Sequence, residues 1–317
     1  MATPTTETAA TPKRSFLRAD AAQKLLAFSA LIIIFIFFSL ASPFFRTPDN
    51  VSSILVATAV NGVLALGVTF VIITAGIDLS VGTVMTLSAV MTGVAVTNQG
   101  FPIPIGILVG LLTGTTAGLI SGLMIARMKI PPFIATLGMM MIARGLSLVI
   151  SNVKPIYFND TPVFREIMMG SVVGAVIPGL SVPNAVFILF GAALVAAFIL
   201  GKTVLGRYAI AIGSNEEATR LSGVNVANWK TAVYALGGAF SGLAGVMIAS
   251  RLNSAQPALG IGYELEAIAA VVIGALIIST LTNGLRILSV PQEWQMVITG
   301  VIVVLAVYID IIRRRGK

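Results

Sequence analysis

Nine apolar runs divide this chain, at residues 25–42, 51–77, 79–97, 103–126, 133–150, 184–200, 231–249, 265–290 and 296–312. A helix needs about 20 apolar residues to cross a hydrocarbon layer of about 30 Å. So many runs of that length leave little chain for a water-soluble core. The composition agrees: 57% of residues are hydrophobic, 10% are charged, and the mean hydropathy is +1.00. In lipid every backbone polar group must be satisfied within the protein. The expected fold is therefore an all-α polytopic membrane protein with about nine to ten spans. The first run also admits a secretory signal, since "SLAS" at 39–42 looks cleavable. Its 18 residues exceed the ~7–15 of a typical signal core. Residues 25–42 are therefore taken as the first span, and residues 1–24 as a cytoplasmic tail.

The loops orient the spans. Basic residues concentrate in "ARMK" at 126–129, at Lys202, Arg207 and Lys230, and in "RRRGK" at 313–317. Short basic loops stay in the cytoplasm. The uncharged "TNQGFPIP" at 97–104 and the proline-rich loop 151–183 suit the opposite side. The net charge of +8 is scattered in these clusters and forms no continuous basic face, so lipid, not nucleic acid, is the expected surrounding. One conflict remains. If 265–290 crosses once, the C-terminal arginines end on the wrong face. Its 26 residues cannot cross twice as helices. Either two short half-helices meet near Gly274, which restores the parity and is the preferred expectation, or the C-terminal charges sit outside.

Several chemistries are excluded. The chain has no histidine and no cysteine, which removes Ser-His catalysis, thiol chemistry and His- or Cys-ligated metal sites. "GKT" at 201–203 resembles the end of a phosphate-binding loop, but Ala196 stands where that loop needs glycine, and no strand precedes it. No catalytic, cofactor or metal site is expected, and energy for any transport must come from a partner or an ion gradient.

Glycines recur every fourth residue at Gly106, Gly110, Gly114, Gly118 and Gly122, and crowd at Gly237, Gly238, Gly242 and Gly245. Small ridges of this kind let helices approach closely in lipid. Between apolar runs lies the polar stretch "IGSNEEATRLSGVNV" at 212–226. Ser214 and Glu217 have the spacing of a capping box, so a two-turn helix is expected from Asn215, ended by Gly223. Ala218, Leu221 and Ser222 then share a surface, with Glu216 and Thr219 pointing elsewhere. So short a helix must dock on something, either its own membrane domain or a partner. In "TAGIDLSVG", Asp78 is flanked by Gly76, Ser80 and Gly82. It can cap a helix starting near Leu79 or serve a translocation path or gate. Arg144, a second intramembrane charge, can pair with Asp78 or snorkel. The broken stretch 254–267, with Gln256 and Glu264, reads as an outer gate or a simple re-entry turn. Trp294, Phe44 and Phe45 read as interfacial anchors.

"EEATRLSGVNV" resembles the E-A-A-x-x-x-G coupling loop of ABC importer permeases, through Glu217, Ala218, Thr219 and Gly223. "VTFVIITAGIDLSVGTVMTLSA" at 68–89, "PPFIATLGMMMIARG" at 131–145, "LGRYAIAIGSNEEATRLSGVNV" at 205–226 and "RLNSAQPALGIGYELEAIAAVVIG" at 251–274 resemble ribose-type sugar permeases of the branched-chain-amino-acid/ribose superfamily. The resemblance implies a type II importer bundle, a homodimer in the inner membrane of a bacterium. It also implies a cytoplasmic ABC ATPase and a periplasmic sugar-binding protein as partners. Ser214, Asn215, Glu216, Glu217, Ala218, Thr219, Leu221 and Gly223 would then meet the ATPase. The chain departs from that pattern where "VVIG" at 271–274 runs directly into "ALIIST", with about 17 expected residues absent. A gradient-driven secondary transporter, an intramembrane enzyme and an inactive shortened permease are the other readings.

Overall fold

The structure, a computed structural model, describes residues 28–177 and 181–315; the expected tail at 1–24 lies outside them. The chain is almost wholly helical. In order come α1 (Phe28–Ala41), α2 (Pro48–Ile73), α3 (Val81–Gly93), α4 (Ile103–Ala126), α5 (Pro132–Ile150), α6 (Val163–Met169) and α7 (Val172–Val176). There follow α8 (Asn184–Lys202), α9 (Val204–Ser214), α10 (Glu216–Leu221), α11 (Val226–Leu252), α12 (Tyr263–Val272), α13 (Ala275–Ile287) and α14 (Gln292–Arg315). Two residue pairs, β1 (Ile156–Tyr157) and β2 (Ser254–Ala255), form an antiparallel ladder. Among the described residues, six helices are long and apolar enough to cross a membrane: α2, α3 with the π-turn Val94–Asn98, α4, α5, α8 and α11. Shorter apolar helices include α1, α13 and the first part of α14. Exposed Leu, Ile, Val and Phe cover α4, α5 and α8, as expected of surfaces that face lipid or another apolar partner.

Helix α11 is the centre, and glycine places it there. A Cβ on Gly238 would run into the Gly114 carbonyl, and one on Gly118 into the Tyr234 carbonyl. The backbones of α4 and α11 therefore touch directly, as the glycine ridge predicts. On its other sides α11 meets α3 and α2: Gly245 lies against the Met85 carbonyl, and Gly67 against Gly237 and Phe240. Phe70 stacks on Phe240 with centroids 6.2 Å apart.

Contacts fix which ends share a face. Arg127, just past the end of α4, donates to Asn228 at the start of α11 (2.6 Å). Gly213, near the end of α9, abuts the Ile73 carbonyl at the end of α2. The α4–α5 link, the end of α2 and helices α9–α10 thus lie on one face, called here the basic face. Gly93 packs on Ile156 and Ala255, which puts the β ladder at the far face. The loop 151–183 is more structured than expected: it supplies β1, α6 and α7, and Phe158 stacks on Phe164 at 4.1 Å.

The run 265–290 is broken, the preferred of the two outcomes that parity allowed. Gly274, with φ 114°, separates α12 from α13. Asn61 on α2 donates to Glu266 of α12 (3.1 Å) and reaches Ser279 of α13 (3.5 Å). Thirteen residues of continuous helix rise about 19 Å, too far for one side chain to touch both, so the chain doubles back at Gly274. Leu281 and Leu285 then join Phe38, Phe45 and Ile54 in a cluster near the start of α2, the far end. After a short link, Ile298 and Ile302 of α14 pack back on that cluster. Helix α14 therefore starts at the far face and returns toward the basic face. One anchor assignment is corrected here. Phe44 (74% exposed) and Trp294 (62%) remain outward, but Phe45 is 0% exposed, because its ring packs against Phe35 and Phe38.

With no native cysteine to interfere, single cysteines at Gln292 and Arg315 test this path. An impermeant thiol reagent is expected to label position 292 from outside the cell and position 315 only after the cells are opened. The reverse pattern means one straight crossing by 265–290.

Candidate functional site

The polar stretch 212–226 becomes a helix with a shifted start. Asn215 is the N-cap: its Oδ1 accepts the Ala218 N–H (2.9 Å). Ser214 instead ends α9, and its hydroxyl donates back to the Ile210 carbonyl (3.0 Å). The expected Ser214–Glu217 capping box is not formed. Asn215 wins because its extended backbone (φ −160°, ψ 100°) suits an N-cap, whereas Ser214 is still helical. Glu217 bonds Arg220 one turn on (2.6 Å), which raises the Arg220 pKa; this pair is exposed. Gly223 ends the helix in the left-handed region (φ 85°), where a side chain is strained, as expected.

Helix α10 is held on one side and open on the other. Thr219 is buried, and Glu216 pairs with Lys230 on α11 (2.6 Å). Ser214, Asn215, Glu217, Ala218, Leu221 and Gly223 are exposed, Leu221 to 78%. Leu221 is thus a large apolar side chain left in the open at the end of a polar, tethered helix. Behind it, α9 is a feature the sequence reading left inside a loop. It is an amphipathic helix capped by Thr203, and its Tyr208 ring lies 5.1 Å from that of Trp229. The "GKT" residues are simply the α8–α9 corner.

From α10 a continuous set of contacts leads inward. The end of α9 sits on Ile73 and Thr74. The link 74–80 then turns through Ala75 (φ 56°) and Gly76, where a Cβ would lie 2.6 Å from the Tyr234 hydroxyl. Tyr234 donates to the Ile77 carbonyl (3.2 Å), tying the link to α11. Asp78 is buried (4% exposed), and its Oδ1 accepts both the N–H (2.8 Å) and the hydroxyl (2.6 Å) of Ser80. The carboxylate thus orders Ser80, the residue just ahead of α3; the helix itself starts at Val81, two residues later than the expected Leu79, so Asp78 is not its N-cap. It makes no pair with Arg144, which is exposed on α5, so that pairing is not made.

The other pathway candidates divide. Gly82 does meet the 254–267 stretch: a Cβ there would strike the Gly260 carbonyl and lie 3.0 Å from Glu264 Oε2. That stretch starts at the far face with β2, then descends along α3. Glu264 itself turns back onto the Gly262 N–H (3.1 Å from each oxygen), stabilising the start of α12. Gln256 donates to its neighbour Ser254 (2.9 Å). The acid that joins separate elements is Glu266, which the sequence reading passed over. Its signal was present: a second acid, two residues after the first, entering an apolar run.

The profile of the family described as "branched-chain amino acid transport system / permease component" matches residues 50–307. The chain belongs to this permease family. A ribose import permease of Bacillus subtilis (strain 168) is 41% identical over 306 residues, covering 91% of this chain and 92% of that one. The ribose import permease of Escherichia coli (strain K12) is 38% identical over 303 residues, 89% of this chain and 91% of its own. A xylose transport system permease of the same strain is 32% identical over 364 residues, covering 92% and 93%. No solved structure matches. The Bacillus alignment spans 306 positions, whereas 91% of 317 residues is about 288. About 18 aligned positions therefore have no residue in this permease. As a member of this family with several apolar helices, the permease is a multi-pass membrane protein.

The corrected cap is directly testable. Asn215→Ala is expected to cost about 1 kcal/mol of α10 stability, while Ser214→Ala is nearly silent. Hydrogen exchange of amides 216–222 in the purified permease reads the difference, and Asn215→Asp should restore protection.

Proposed function

We propose that this permease is the membrane subunit of an ATP-driven importer of a monosaccharide, ribose or a related pentose. It passes the sugar from a binding protein on the far face to the cytoplasm on the basic face. The observation that carries the mechanism is α10, a helix tethered from behind by Thr219 and Glu216 that leaves Leu221 exposed. The identity of the sugar rests on the named activities of the relatives. ATP hydrolysis falls to a separate ATPase, which binds the α10 surface around Glu217, Ala218 and Leu221.

In this reading the basic face is cytoplasmic by the positive-inside rule. The N-terminal tail and the end of α14 lie there too, in a bacterial inner membrane. Two copies of the permease make the transport unit, surrounded by lipid. When the ATPase closes, it pushes α10. The push passes through α9 to the end of α2 and the link 74–80, and through the Glu216–Lys230 pair to α11. Both routes meet at Tyr234, whose hydroxyl holds the link to α11. Asp78 keeps the start of α3 in register with that link, so a shift at the basic face re-aims α3 against Gly260 at membrane depth. Such bistable rearrangement of packed helices is how small displacements open and close a path.

The energy source separates this reading from a gradient-driven transporter. Uptake of labelled ribose is expected to stop when ATP is depleted and to survive collapse of the proton gradient. Uptake lost with the gradient while ATP persists contradicts it. Leu221→Asp is expected to lower ATP-driven uptake at least tenfold without lowering membrane abundance.

A further inference from the structure

A polar stripe descends from the far face into the bundle. It begins at Arg251, in the last turn of α11, and continues through Tyr263 and Glu266 on α12 to Asn61, midway along α2. Arg251 and Arg286 lie within electrostatic reach of Glu266, and Arg251 within reach of Tyr263, yet neither arginine closes to an ion pair with it among the described residues. Among the described residues, the one hydrogen bond that Glu266 accepts comes from Asn61 Nδ2 (3.1 Å), which also reaches Ser279. An ionised carboxylate can accept about four. Glu266, Tyr263 and Arg251 are each partly exposed.

A carboxylate at this depth is costly unless it is paired or serves a polar path. Its nearest acid, Glu264, is spent on Gly262, so the two do not compete for one partner. The backbone around the stripe is also broken: Gly260 and Gly262 have positive φ before α12, and Gly274 after it. Irregular backbone within a membrane is tolerated where protein covers it or where it lines a watered cavity, and broken half-helices commonly carry transporter binding sites. An acceptor short of donors, an amide, a guanidinium and a phenol together suit a polyhydroxyl ligand, whose hydroxyls both donate and accept.

Resting on the sugar-import reading above, we infer that Glu266, with Asn61, Tyr263 and Arg251, forms a hydroxyl-binding site that receives the sugar on its way through the permease. Glu266 accepts from sugar hydroxyls, and Arg251 and Tyr263 donate to them. The site is weak by design, since a path must release what it binds. Its position below the far face makes it the first contact after the sugar leaves the binding protein.

Two readouts test it on the intact permease. In liposomes with its ATPase and ribose-loaded binding protein, Glu266→Gln and Asn61→Ala are expected to keep the parent's ATPase stimulation and thermal midpoint. Each is expected to move at least threefold less ribose per ATP hydrolysed, with Glu266→Asp retaining most of the parent ratio. Parent-like ribose per ATP in a folded Glu266→Gln protein overturns the site. So does a loss matched by a lower thermal midpoint in all three variants, which assigns Glu266 to holding α12 on α2. The second readout needs no ATPase. Saturation-transfer NMR of D-ribose on the purified permease is expected to give a signal that Glu266→Gln reduces at least twofold; an unchanged signal, or none with the parent, overturns the site. If the parent binds ribose by NMR but never moves it with ATP, the import reading fails while the site stands.

Discussion

Backbone touches backbone where α4 crosses α11, and the rest of the bundle is arranged around that contact. Lipid offers no hydrophobic force to press helices together, so association depends on close packing. Gly114, Gly118, Gly238 and Gly242 supply it by leaving no Cβ where the two backbones touch. With α4 fixed on one side, α11 keeps its remaining faces for α2 and α3, the helices that lead to the candidate path. Helix α11 also carries Lys230 and Tyr234, which receive the basic-face elements. One rigid element therefore touches the lipid-facing wall, the path and the coupling region.

That arrangement explains why a short exposed helix can matter at a distance. Helix α10 has little internal stability, but it is backed by α9, whose Gly213 lies directly on the Ile73 carbonyl. A side chain at 213 would push the two apart. The link 74–80 then runs past Tyr234 to Asp78 and Ser80. Asp78 is a local positioning group for the start of α3, through its two bonds to Ser80. The first turns of α3, at Gly82 and Thr86, meet the descending stretch at Gly260, so the link 74–80 and that stretch converge on the same end of one helix.

Much of this was legible in the sequence for a physical reason. Spans are long and apolar, and glycine ridges repeat every fourth residue, so one-dimensional pattern carries both. Charge parity favoured the break at Gly274 over a single crossing with its C-terminal charges outside, before any contact was known. What failed depended on local backbone or on orientation. Ser214 and Asn215 are both good caps, and only the backbone angles decide between them. Glu264 and Glu266 are two residues apart on one helix, and pattern cannot say which one faces α2. Phe44 and Phe45 are adjacent, yet one faces out and one lies under α1. Arg144 and Asp78 are both charges in apolar runs, but they sit on opposite kinds of surface. Helix α9 was missed because two of its three buried residues, Gly206 and Ala209, are small and carry little hydrophobic signal, leaving Ile212 as the one large buried side chain.

The account stands on α10 as the surface that meets the ATPase, and the absence of native cysteine makes that directly measurable. A single cysteine replacing Leu221, treated with a short thiol-reactive cross-linker in the assembled importer, is expected to join the permease to its ATPase. The yield should change when ATP is added, and a cysteine replacing Phe101 on the far face should give no such product. If the cysteine at 221 instead stays freely reactive toward an impermeant reagent, at the same rate with and without the ATPase in an importer that hydrolyses ATP, then α10 is not the coupling contact.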